Sequence, residues 1–176
     1  MSQASSTSAT HRRAPELSQR TALELRDLYR RREVSPVEVT RDILAHIDVH
    51  EPVLKAFAVL DPDAALAAAR DAERRWQQGQ PLSDVDGIPV AIKDLLLAKG
   101  WPTLRGSRAV DANQAWNEDS PATARLREQG AVILGKTTTA EFGWKALADS
   151  PLTGVTRNPW NPKHTPGGSS GGSAAA

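Results

Sequence analysis

The chain has no cysteine among its 176 residues. That excludes disulfides, thiol nucleophiles and cysteine-ligated zinc, and it fits a reducing, cytoplasmic compartment. A surplus of either charge is missing too, with 22 Lys and Arg against 21 Asp and Glu. Without a polycationic footprint, neither nucleic acid nor an anionic membrane is expected as a direct partner. No apolar run approaches the roughly 18 residues that a membrane-spanning helix needs; the best are Ala56–Leu60 and Ile88–Ile92. Metal-ligand spacing is also absent. His46 and His50 stand four apart in one helical pattern without a third ligand nearby, so no metal is expected.

What is present suits a packed domain, because an apolar share of 39% matches ordinary globular chains. Residues 1–15, MSQASSTSATHRRAP, are the exception. They hold many Ser and Thr, no acid and no apolar period, which predicts a disordered tail. A transit peptide would share the Ser and Arg content, but two arginines without an amphipathic stretch fit it poorly.

From Leu17 onward, Leu17, Ala22, Leu25, Leu28 and Tyr29 recur at helical steps. In Ser35-Pro36-Val37-Glu38 the serine can cap a second helix and Glu38 can complete a capping box. That helix is expected to reach about His50, burying Val39, Ile43, Leu44 and Ile47. A strand over Lys55–Leu60 follows, then an alanine-rich helix from Pro62 to about Gln78, stopped by Gly79. Beyond a turn at Asp86-Gly87, Ile88–Ile92 reads as a buried strand ending in Lys93 and Asp94. Next, Ser120 caps and Pro121 starts a helix with Leu126 toward the core; Gly130 stops it, and Ala131–Leu134 enters the sheet. Strand, helix, strand in this order implies an α/β fold with a mixed, partly parallel sheet flanked by helices. The segment Thr156–Gly168 holds three prolines and reads as a loop.

Each candidate for chemistry is weak by itself. A lysine ending a buried strand ordinarily reaches for water or an acid, and Asp94 is adjacent. The closing run Thr165–Ala176, TPGGSSGGSAAA, has the composition of a flexible linker. It is no Walker loop, since no Gly-Lys-Ser/Thr ending follows. It matches G-x-S-x-G twice, yet a nucleophile elbow needs a strand before it, and here a proline-rich loop precedes.

Together the stretches GIPVAIKD, DSPATARLREQGAVILGKTTTAEF and TRNPWNPKHTPGGSSGGSAAA, in this order and spacing, resemble the amidase signature family of serine hydrolases. The resemblance covers about Gly87 to Ala176 closely. It implies a Ser-Ser-Lys relay with Lys93 as the ultimate base and Ser169 as the bridging serine, preceded by a cis bond from Gly168. Gly167, Gly168, Ser170, Gly171 and Gly172 would complete the active-site loop. A serine hydroxyl becomes a nucleophile once a base takes its proton, and a neutral lysine can act through a second hydroxyl if burial depresses its pKa. Asp94 would defeat this if its carboxylate turned inward, so strand alternation is expected to send it to the opposite face.

Leu95 and Thr138 stand where many members of the family carry Asn, which points to specificity or packing. The family's acylated serine and oxyanion donors would lie roughly two dozen residues past Ser169, beyond Ala176. Residues 16–176 are therefore expected to be the N-terminal part of a single amidase domain, truncated at its C-terminus and inactive alone. The resemblance implies hydrolysis of small-molecule linear carboxylic amides through an acyl-enzyme, without a cofactor, as a homodimer or with amidotransferase partner subunits. Its close rival is the glutamine-hydrolysing subunit of a tRNA-dependent amidotransferase. A rival of another class is a non-catalytic interaction protein on the same scaffold.

Overall fold

The computed structural model describes residues 17–176, so the tail expected over residues 1–15 lies outside the described residues. The first helical pattern is divided. Leu17–Gln19 form a 3-10 turn, and helix α1 (Ala22–Arg31) starts afresh at Thr21. Thr21 holds extended backbone while its hydroxyl accepts from Glu24 N at 3.3 Å and the Glu24 carboxylate accepts from Thr21 N at 2.8 Å. That reciprocal cap offers the backbone a helix start in place of continuation.

Helix α2 (Pro36–Leu54) has the same box, from Ser35 and Glu38, and runs past His50 through Pro52. A proline in the last turn sacrifices one donor, and the neighbouring Glu51 carboxylate satisfies two others, Ala56 N and Phe57 N, each at 3.0 Å. Lys55 takes a left-handed conformation that ends the helix, so strand β1 (Phe57–Leu60) begins later than the apolar run suggests. Helix α3 (Pro62–Gln78) is capped by Asp61 and closed by left-handed Gly79. Strand β2 (Pro89–Lys93), helix α4 (Pro121–Glu128) and strand β3 (Val132–Thr137) complete the layered part.

The sheet order is β1-β3-β2, with β1 antiparallel and β2 parallel to the central β3. On one face Val132 and Leu134 pack with Val37, Ala65 and Ala69 from α2 and α3. The alanines matter because small side chains let α3 approach the strand closely. On the other face Ile133 packs with Ile92, Ala98 and Trp101. A bulge then changes the alternation in β3: Val90 pairs with Ile133 but Ile92 with Lys136, so three steps on β3 match two on β2. Lys136 consequently lies on the Ile133 face. Gly135 sits at the bulge, where a Cβ would strike Val59 O.

The turn into β2 is built on a buried carboxylate. Asp86 is fully buried and accepts from Arg75 Nε at 2.8 Å, Arg75 Nη2 at 2.6 Å and Leu82 N at 2.8 Å. Trp76 Nε1 donates to Asp86 O at 2.9 Å, and Tyr29 OH donates to Gly87 O at 3.1 Å. Burial of the Tyr29 phenol raises its pKa.

After a two-stranded hairpin, β4 (Asp149–Ser150) with β5 (Gly154–Val155), the chain reaches the short helix α5 (Gly171–Ala175). The Gly-Ser run before it is packed. A Cβ on Gly168 would meet the Leu147 backbone at 2.5 Å, and one on Gly172 would strike Thr138 N and come within 2.6 Å of Ala56 O. Among the described residues, no helix is long and apolar enough to cross a membrane.

Two stability outcomes follow from these contacts. Asp86→Ala leaves the part-buried Arg75 guanidinium and Leu82 N–H without their acceptor and should cost about 3 kcal/mol, read as a lower urea midpoint at unchanged slope. Gly172→Ala should cost about 1–3 kcal/mol through the collision with β-sheet backbone, whereas a linker glycine would tolerate alanine; a melting temperature equal to that of the parent would contradict this packing.

Candidate active site

Lys93 ends β2, in register with Thr137 of β3. Parallel register partners project to the same face, and both side chains meet the glycine loop. Thr137 Oγ1 lies 2.7 Å from Ser173 Oγ of α5, and Lys93 Nζ lies 2.6 Å from Ser169 Oγ, 76 positions later in the chain. A charged amine donates in that contact; a neutral amine accepts from the hydroxyl. The Gly168–Ser169 peptide is cis. Gly172 N donates to Thr138 O at 3.2 Å, which fixes the loop to the end of β3. Gly167 has a φ of 86° and donates to Thr165 Oγ1 at 3.0 Å. Gly171 and Gly172 are buried at the start of α5, and Ser170 precedes them with an exposed side chain that makes no capping bond.

Partial burial pulls the Lys93 pKa below its ordinary value. A carboxylate beside it would do the opposite, and the adjacent Asp94 points elsewhere. Asp94 Oδ1 lies 2.6 Å from Lys136 Nζ, with both side chains almost wholly enclosed. The contact is an ion pair lacking hydrogen-bond angles at Asp94 Oδ1. Lys136 Nζ directs its hydrogen bonds to Thr103 Oγ1 at 2.5 Å and Pro102 O at 3.0 Å. Burial lowers the Lys136 pKa, and Asp94 opposes that shift.

The two positions that depart from the family pattern have distinct surroundings. Leu95 packs against Gly143, where an added Cβ would lie 2.7 Å from Leu95 Cδ1 and 3.6 Å from Ser169 Oγ, so Gly143 has Leu95 and Ser169 as neighbours. Thr138 is structural: its hydroxyl lies 2.6 Å from Thr156 Oγ1, which donates to Lys55 O at 2.8 Å. Lys136 and Thr103 were not foreseen from the sequence. The available signal was Lys136 itself, a lysine closing a buried run just as Lys93 does, but the bulge that aims it is not visible in residue order. His46 and His50 have ring centroids 4.4 Å apart, and among the described residues no cluster of three potential ligands surrounds them.

Comparison with known proteins agrees with this architecture. Residues 38–176 match the Amidase family. A glutamyl-tRNA(Gln) amidotransferase subunit from Chloroflexus aurantiacus is 46% identical over 144 residues, covering 82% of this chain and 29% of that protein. The corresponding subunit from Geobacter metallireducens is 45% identical over 161 residues, covering 92% and 33%. Among solved structures, a bacterial aryl acylamidase of the amidase signature family superposes with a TM-score of 0.82 at 34% identity, over 89% of this chain and 32% of that one. The peptide amidase of Stenotrophomonas maltophilia gives 0.82 at 32% identity, over 90% and 34%. The chain thus spans about a third of the length of these relatives. With the family match extending over most of its residues and the fold shared at this level of identity, the chain belongs to the amidase signature family.

Proposed function

We propose that residues 16–176 are the N-terminal part of a single amidase domain and carry the proton-relay half of its active site. Lys93 is the base and Ser169 the bridge, held by the loop Gly167–Gly172. The observation that carries this reading is the 2.6 Å contact between Lys93 Nζ and Ser169 Oγ, made on the face of β2 from which Asp94 is turned away. The acyl serine lies beyond Ala176 in this reading. Its hydroxyl gives a proton to Ser169 Oγ as Ser169 passes its own to neutral Lys93, and the freed oxygen attacks the amide carbon. The departing amine takes the proton back along the same path, and water then releases the acid from the acyl-enzyme. The substrate is a small linear carboxylic amide, no cofactor is required, and the site is cytoplasmic.

A second reading is favoured by the relatives: those with the highest similarity cited above are amidotransferase subunits. In that case the amide is glutamine and the protein works with partner subunits. Glutamine hydrolysis that rises on addition of the other amidotransferase subunits selects it; hydrolysis of simple carboxylic amides without partners selects the free amidase.

The pH dependence has a definite sign. The relay needs neutral Lys93, and burial favours that form, so the rate should rise with pH and level off below the roughly 10.4 of a free lysine. In a protein carrying these residues together with the family's acyl serine, Lys93→Ala should lower kcat about 10²–10⁴-fold with an unchanged circular dichroism spectrum. Near-normal turnover in that variant, or a rate flat from acid to alkaline pH, removes Lys93 from the role. The 176-residue chain alone should hydrolyse neither glutamine nor simple amides; an acyl adduct trapped on Ser169 or Ser170 in that chain would overturn the assignment of Ser169 as a bridge.

A further inference from the structure

Two lysines and one carboxylate stand at the C-terminal ends of the parallel strands, with the carboxylate paired to Lys136 and Lys93 on the other face. We propose that Lys136 is a positioning residue for that base: by claiming Asp94 on the far face of β2, it denies Lys93 a carboxylate partner and leaves its amine free to be neutral. The inference rests on the reading of Lys93 as the base.

The geometry supports the division. Asp94 follows Lys93 directly and its N–H donates to Thr137 O at 3.0 Å, which continues the ladder and sends consecutive side chains to opposite faces. The bulge in β3 brings Lys136 onto the Asp94 side, and Thr103 Oγ1 and Pro102 O complete its donor set. Lys93 meets a hydroxyl instead.

Of the other charged groups around this pair, the carboxylates are engaged elsewhere. Asp61, between β1 and α3, accepts from Ala64 N at 3.0 Å and Trp101 Nε1 at 2.9 Å. Glu141 accepts from Ser107 Oγ at 2.8 Å. Lys145 pairs with Asp149 at 2.9 Å beside the glycine loop. Arg105 acts on Lys136 as a like charge, and α5 has no ionisable side chain. The lowered pKa of Lys93 comes from burial, with no carboxylate contribution.

A carboxylate left buried without its cation acts on the cations that remain around it, Arg105 and the adjacent Lys93, and an opposite charge at close range raises a lysine pKa. The test is a titration of individual ε-amines by NMR in the 176-residue protein with ¹³C-labelled lysine, which needs no turnover. Lys136→Met should raise the Lys93 pKa by about one unit or more, and adding Asp94→Asn to it should return Lys93 to its starting value. If Lys136→Met does not fold, Asp94→Asn alone decides: the Lys136 pKa should fall by about 1–3 units while Lys93 moves little. The inference is overturned if Lys93 ignores Lys136→Met, if the double variant stays shifted, or if Asp94→Asn lowers Lys93 as much as Lys136. A lowered Lys93 that ignores Lys136 sinks this inference and leaves the relay standing; an ordinary lysine pKa in the parent protein sinks both.

Discussion

Strand β3 is buried along its whole length, and the elements around the site take their positions from it. A strand enclosed on both faces cannot slip without exposing apolar side chains and orphaning ladder bonds. It pairs with β1 on one edge and β2 on the other, supports α3 on one face and seats Ile92 and Trp101 on the other. At its end Thr137 meets Ser173 and Thr138 holds Gly172, so the glycine loop is attached to the same rigid strand that registers Lys93. Precision at the Lys93–Ser169 contact is thereby inherited from the sheet, not from the loop.

The site also shows how a low-dielectric interior sorts charges. Removing an ion from water is expensive unless a partner and further hydrogen bonds offset the cost. Lys136 has both, in Asp94 and in the oxygens of residues 102 and 103. Lys93 has a single hydroxyl and partial burial, a poor setting for a cation and a good one for a neutral amine. Leu95 packs against Gly143, which in turn approaches the serine.

Much of the local structure was legible because it depends on neighbours in sequence. The caps at Ser35 and Ser120, the stop at Gly79 and the strand–helix–strand order that implied a partly parallel sheet are all short-range signals. The misjudged boundaries have local causes of another kind. Thr21 interrupts a helical period with a better cap, and past the end of α2 Glu51 accepts from Ala56 N and Phe57 N, which fixes the turn into β1. Both are side chain–backbone bonds that hydrophobic periodicity does not register.

Residue order alone determined the fold class and the motif set that marks the family, and the resemblance carried by those motifs implied that a strand-terminal lysine meets a serine 76 positions away. Those follow from period, capping chemistry and recognisable strings. Only the tertiary structure decided that the Gly-Ser run is packed against Leu147, Ala148 and Thr138, that Thr138 is a structural hydroxyl, and that Lys136 takes Asp94. The reason is physical: each depends on a bulge or a backbone approach between segments dozens of residues apart, and composition is silent about where a strand gains one residue and reverses the face of its next side chain.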